Sequence, residues 1–190
     1  MKKLFGFSMM CLMALTMAAF VACDKENGTP DDANNNNDSV KPATYVDLGL
    51  RSGTKWKDVN EVNEADAEYD YFTYDEAMEK FGDKIPTYEQ YGELIDSCQW
   101  TWTGDGYNVT GPNGNSIVLP AAGFRFCEDN QYNPGVYEVG TYGQYWSSTP
   151  SSSPDYIDRC AWALVFSSHR FDLNETWTRC CRLSVRLVQN

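Results

Sequence analysis

The side chains best suited to chemistry crowd into the last quarter of this 190-residue chain. Asp155, Tyr156, Asp158 and Arg159 come first, followed by His169, Arg170, Phe171, Asp172, Asn174, Trp177 and Arg179. A nucleophilic triad needs a base oriented by a third group, and His169 is the sole histidine, with Asp172 its only nearby carboxylate. That pair reads as surface coincidence rather than as a catalytic dyad. Carboxylates are plentiful, but no motif picks out a glycosidase pair. Zinc would want Cys-x-x-Cys or paired histidines, and neither occurs. Glu128-Asp129-Asn130 is the nearest approach to a calcium cluster, and residues 111–115 lack EF-hand spacing. We therefore expect no catalytic residue, no metal and no cofactor. Binding remains: Tyr, Trp, Phe, Arg and His serve as interface anchors, with Asp and Asn as polar neighbours.

Such residues need a frame. Three strand-like pieces supply one at 145–148, 161–166 and 184–188, while 151–160 and 167–183 between them mix residue types without a period. Aperiodic loops rich in Tyr, Arg, Asn and Ser make recognition surfaces, and the same composition also fits ordinary surface loops. Trp146, Trp162 and Arg186 fall on the frame, where a strand tryptophan is more often core than contact. The candidate contact residues are expected to form one face at the sheet's end.

Upstream, the pattern is α+β. Residues 45–48 alternate as an opening strand, the turn at 51–53 follows, and the acidic stretch 57–70 reads as loop. Thr73 with Glu76 is a capping box that starts a helix over 74–81, ended by Gly82. Thr87 with Gln90 repeats the arrangement for a helix over 88–98, with Tyr91, Leu94, Ile95 and Cys98 at helical spacing. Trp100 and Trp102 alternate with threonine, and 107–110 and 116–119 flank an Asn-Gly turn, giving a hairpin. Residues 120–125 lead to another short strand. Early helices followed by many short strands argue against a doubly wound parallel sheet.

The N-terminus sets the location. Lys2 and Lys3 precede an apolar run that is short for a membrane span and ends in small residues before Cys23. Phe20-Val21-Ala22-Cys23 resembles a bacterial lipobox, which implies lipidation of Cys23; a simple secretory peptide or signal anchor is the alternative. Residues 1–22 are then a signal peptide and 23–43, acidic and Asn-rich, a disordered tether with little to bury. Asp24, Lys25 and Glu26 after that cysteine look like the surface-export signal of Bacteroidetes lipoproteins. Loss of Lys2 and Lys3 moves the formal charge from −12 to −14, with 13 basic against 27 acidic residues. That charge and the lack of a basic stripe exclude nucleic acid as a partner. Residues 44–190 make one domain with all six tryptophans. Its five cysteines, at 98, 127, 160, 180 and 181, leave at least one without an intrachain partner. A Cys160 bridge to Cys180 or Cys181 would staple the two irregular segments, and unpaired thiols fit equally well.

Together these pieces resemble a known family. Val46-Asp47-Leu48-Gly49-Leu50, Ser52-Gly53-Thr54-Lys55-Trp56, Ile85-Pro86-Thr87, Trp100-Thr101-Trp102-Thr103, Val109-Thr110-Gly111-Pro112-Asn113-Gly114-Asn115-Ser116, Leu119-Pro120-Ala121-Ala122-Gly123, Tyr145-Trp146-Ser147-Ser148-Thr149 and Ser184-Val185-Arg186 are similar to the Fibrobacter succinogenes major paralogous domain of Bacteroidetes lipoproteins. The resemblance implies a C-type lectin-like fold related to formylglycine-generating enzymes. The segment after Trp56 is shorter than usual in that family and lacks its Cys-Asn-Val-Gly-Ala run. Formylglycine-type oxidation needs two spaced copper-binding cysteines, which adjacent Cys180 and Cys181 do not provide. The C-terminal window also resembles regions diversified by retroelements, whose mutated Asn codons do not yield Met, Trp, Lys, Gln or Glu. From 147 to 183 only Trp162, Glu175 and Trp177 belong to that excluded set. A short Ser-rich lectin-like loop of chance composition explains the window equally well. The expected function is ligand binding, protein or glycan, by a lipid-anchored protein at the bacterial outer membrane surface. A structural envelope or fimbria-associated subunit is the alternative.

Overall fold

Two threonines start the two α-helices found among the described residues. Thr73 Oγ1 accepts from the Glu76 backbone N–H at 3.3 Å while Glu76 Oε2 accepts from Thr73 N–H at 2.9 Å, opening α1 (Tyr74–Phe81). Thr87 and Gln90 repeat the exchange at 3.2 and 2.9 Å to open α2 (Tyr88–Ser97). Each cap contributes about 1 kcal/mol by satisfying donors the first helical turn leaves free. Gly82, at φ 54°, ends α1, and a 3-10 turn (Gly82–Lys84) leads to Pro86. The computed structural model describes residues 43–65, 70–127 and 135–190. The segments expected as signal peptide and tether, up to residue 42 and including Cys23, lie outside the described residues, as does Glu128-Asp129-Asn130. No helix among those described is long and apolar enough to cross a membrane.

Among the described residues the strands form three small antiparallel sheets, so the fold class is α+β. β1 (Tyr45–Asp47), β2 (Lys55–Lys57) and β9 (Val188–Gln189) make the first, in that order. β3 (Gln99–Trp102), β4 (Gly106–Thr110) and β5 (Ser116–Pro120) make the second, with the expected β4–β5 hairpin; its chain reverses over 111–114, where Gly114 N–H donates to Gly111 O at 3.0 Å and Gly114 takes φ 86°. β6 (Tyr142–Pro150), β7 (Cys160–Ser167) and β8 (Arg170–Thr178) make the third.

The third sheet is covered on both faces, which explains the continuous apolar run of β7. Leu164 and Phe166 join one cluster with Tyr91 and Leu94 of α2, Trp56 and Tyr107. Ala161, Ala163 and Val165 join the other with Tyr74 and Ala77 of α1, Trp146 and Phe124. Gly143 is obligatory here: a Cβ would lie 2.0 Å from the Phe166 ring, its cross-strand partner. Trp146 is fully buried and donates from Nε1 to Phe72 O at 2.8 Å.

Two expectations need correction. Segment 167–183 is not irregular filling, because it carries the nine-residue β8. The β7–β8 turn is Ser168-His169, neither residue at positive φ, so it lacks the Gly or Asn that marks a tight hairpin in sequence. A bulge also breaks the alternation: Ala163 pairs with Glu175 and Val165 with Asp172, so one intervening residue of β7 faces two of β8. Conversely, 184–188 is not one strand. Ser184 makes a single parallel bridge to Tyr145, and strand pairing resumes only at Val188.

Between those points sits Arg186, 1% exposed. Its Nε donates to Asn60 Oδ1 at 2.9 Å, Nη1 to Lys57 O at 2.7 Å and Nη2 to Val118 O at 2.7 Å. Burial pulls the guanidinium below its ordinary range, an effect opposed by the neighbouring Tyr145 and Tyr91. Removing the side chain strands several buried acceptors, each costing about 1–3 kcal/mol. Arg186→Met should therefore lower stability by about 3 kcal/mol or more in urea denaturation. Arg186→Lys should recover little, because one ammonium cannot span three segments; a lysine variant within about 1 kcal/mol of wild type would refute this tying role.

Candidate functional site

Loop 151–159, between β6 and β7, is held by its own backbone. Ser151 N–H donates to Cys160 O at 3.0 Å, Tyr156 N–H to Ser153 O at 3.0 Å, and Arg159 and Cys160 N–H both to Tyr156 O at 2.9 and 2.7 Å. The loop is also clamped from outside: Arg179 N–H donates to Arg159 O at 2.9 Å and Arg179 Nη2 to Ile157 O at 2.9 Å. Asp155, Tyr156, Asp158 and Arg159 all point to solvent, and Ile157 joins them. Tyr156 is 49% and Ile157 43% exposed, an apolar pair on a fixed backbone. Sequence reasoning passed over Ile157; its signal was an aliphatic residue beside a tyrosine inside a polar loop.

The two faces of β8 differ. Arg170, Asp172, Glu175 and Trp177 lie on the α1-side face, in register with Ser167, Val165, Ala163 and Ala161 respectively. Arg170 Nη2 donates to Asp172 Oδ2 at 2.7 Å and also contacts Glu175. The guanidinium, then the Asn174 N–H, hold the Asp172 carboxyl below its ordinary range. Asp172 is thus committed to Arg170 rather than to His169, which stands exposed at the hairpin turn. On the α2-side face, Phe171 packs against Trp100 and Tyr107, centroids 4.8 and 4.7 Å apart, and stays 38% exposed. Asn174 Oδ1 accepts from Tyr88 Oη at 3.3 Å, and the Tyr88 ring tilts against Trp162 at 5.2 Å. Among the described residues no group of three or more His, Cys, Asp or Glu could hold a metal.

Trp177 and Arg179, expected as contacts, are packing residues. The Trp177 ring meets Phe124 edge-on at 4.9 Å and lies tilted 6.4 Å from Phe126. The Arg179 guanidinium sits over the Tyr74 ring at 4.7 Å. Beside Trp177 opens a cleft of about 460 Å³ walled by Phe126, Glu175, Thr178, Cys127 and Cys181. Neither Phe126 nor Glu175 stood among the expected site residues. The sulfurs differ from both sequence alternatives as well: Cys127 bridges Cys180, while Cys98, Cys160 and Cys181 are free thiols. Burial pushes the Cys98 thiol up to about 11.

The candidate residues therefore do not gather at one end of the sheet. His169, Arg170, Phe171, Asp172 and Asn174 sit towards the β7–β8 turn. Trp177, Arg179 and loop 155–159 sit at the opposite end of β8, a strand about 26 Å long at a rise of about 3.3 Å per residue. Antiparallel pairing causes the split, because the loop before β7 and the turn after it leave opposite ends of that strand.

Scaffold and contact roles are separable by stability. Trp177→Ala should cost about 2–3 kcal/mol, less than a fully buried tryptophan because one side of the ring meets the cleft. Tyr156→Ala should stay within about 0.5 kcal/mol. Thermal melts of the two variants check both; a Tyr156→Ala loss as large as that of Trp177→Ala would show the loop to be structural.

Residues 100–188 match the model of a domain of unknown function (DUF8237). That span runs from β3 to the start of β9 and contains the cleft, the clamped loop and the β7–β8 hairpin. No curated protein and no solved structure matches the chain.

Proposed function

We propose that this chain is a lipid-anchored lipoprotein of the bacterial outer membrane surface whose C-type lectin-like domain binds an extracellular ligand, a protein or a glycan. The observation that carries this reading is loop 151–159. Its backbone is fixed by internal hydrogen bonds and by Arg179, yet Tyr156 and Ile157 face water. Holding apolar side chains out of a core costs stability unless something else covers them, and pre-organising them lowers the entropy lost on binding. The neighbouring cleft adds Trp177 and Phe126 rings, a carboxylate and a threonine hydroxyl, a mixture suited to hydroxyl-rich or peptide surfaces. No catalytic role is proposed: His169 and Asp172 are not paired, and the Asp172 carboxylate is neutralised by Arg170.

The outer edge of β8 favours the second reading, a structural envelope or fimbria-associated subunit. Among the described residues β8 pairs only with β7, and an open edge is a place for strand addition. Arg170, Asp172, Glu175 and the bulge are, however, devices that discourage such pairing, so ligand binding remains the preferred reading.

Anchoring is tested by Cys23→Ala, which should abolish lipid labelling and release the chain from membranes. Binding is tested by screening the purified chain against defined glycans and purified extracellular-matrix proteins. At least one should bind the wild type, and the paired substitution Tyr156→Ala with Ile157→Ala should weaken it by tenfold or more, about 1.4 kcal/mol, with an unchanged melt. Full binding by that variant would remove the loop from the site. A reverse-transcriptase gene beside an Asn-codon-rich copy of the 147–188 coding segment would decide for retroelement diversification, and its absence against it.

A further inference from the structure

The cleft wall contains a group of sulfurs that ligand binding leaves unexplained. Arg125 and Arg182 form an antiparallel bridge, each backbone N–H donating to the other's carbonyl at 2.9 Å. Two residues outward on each segment, the register sets Cys127 opposite Cys180, with Cα atoms 4.9 Å apart, and these two are bonded. The turn after β8 brings a third sulfur to the same place: Cys181 N–H donates to Thr178 O at 2.9 Å, and Cys181 Sγ lies 3.6 Å from Cys127 Sγ. Two sulfurs adjacent in sequence thus both reach Cys127, one bonded to it and one in van der Waals contact.

We propose that Cys127, Cys180 and Cys181 form a thiol–disulfide exchange centre and that Cys180 is its modification site. The Cys181 thiolate attacks Cys127 Sγ; the Cys127–Cys181 bond forms as the Cys127–Cys180 bond breaks. The electron pair leaves on Cys180 Sγ, which takes up the proton Cys181 gave up. The step is an isomerisation, so no oxidant or reductant is consumed.

Exchange changes what the surface offers. Cys181 is 4% exposed, whereas Cys180 is exposed, so a hidden thiol is traded for an accessible one. That thiol, as thiolate, can then attack a small disulfide substrate, forming a mixed disulfide and releasing the substrate's other sulfur as a thiol. The exchange also moves the covalent tie by one residue at the base of the β7–β8 hairpin. Cys127 and Cys181 both line the cleft beside Trp177, so the bridge in force reshapes that wall.

The test is time-resolved alkylation of the folded full-length chain with N-ethylmaleimide, followed by non-reducing peptide mapping and fragmentation. The expected result is steady accumulation of chains alkylated at Cys180 and bridged Cys127–Cys181. In Cys180→Ser, Cys181 should be bonded to Cys127. Wild-type chains that keep only the Cys127–Cys180 bridge through prolonged labelling overturn the proposal, and so does a free Cys127 in a Cys180→Ser protein that melts as wild type does. The wild-type time course needs no substitution, so it decides the matter even if the variant fails to fold.

Discussion

Arg186 is a cation taken out of water, and its hydrogen bonds explain how three small sheets become one domain. Lys57 O belongs to the first sheet and Val118 O to the second, and Asn60, which also donates to Tyr145 Oη at 3.2 Å, reaches the third. Tyr145 closes the arrangement by donating to Pro120 O at 2.7 Å. None of these sheets has more than three strands, and sheets that small are marginal alone. A planar guanidinium with several fixed donors can answer carbonyls from separate segments at once, which an ammonium cannot. Desolvating the charge is costly, so the geometry has to satisfy it nearly completely.

With that tie in place, the third sheet can be packed on both faces, and the consequences reach the surface. β7 is buried on each side, so β8 is the element that meets solvent and carries the polar and aromatic side chains outward. The bulge near Ala163 and Val165 re-aims that strand, so that Arg170, Asp172, Glu175 and Trp177 share one face despite their uneven spacing. Trp177 and Arg179 each link scaffold and surface: one side packs against Phe124 or Tyr74, and the other lines the cleft or holds loop 151–159. Arg179 ties the backbone that carries the loop's exposed tyrosine and isoleucine.

Much of the frame was legible from residues close together in the chain. Thr73 with Glu76 and Thr87 with Gln90 fixed both helix starts, because a capping box closes within four residues. The Asn113-Gly114 pair in the loop 111–115 marked the β4–β5 hairpin for the same reason. β8 was illegible because its turn, Ser168-His169, carries no turn signal and its bulge erases the period-two pattern by which a strand is recognised. The expected single face failed on topology: residues close in sequence on either side of β7 leave opposite ends of an antiparallel pair. Phe126 and Glu175 were missed because they come together only when β8 docks beside the segment leading to Cys127.

By itself, then, the sequence determined the α+β class, both capped helices, the β4–β5 hairpin and the concentration of anchor-type residues in the final quarter, all matters of local hydrogen bonding and composition. Tertiary structure alone decided that 170–178 is an edge strand, that Cys127 rather than Cys160 meets Cys180, and that Tyr156 and Ile157 face water while Trp177 packs inward. Those outcomes depend on register between segments tens of residues apart. Register is set by burying both faces of β7 and by satisfying Arg186, and neither constraint exists until the chain has closed on itself.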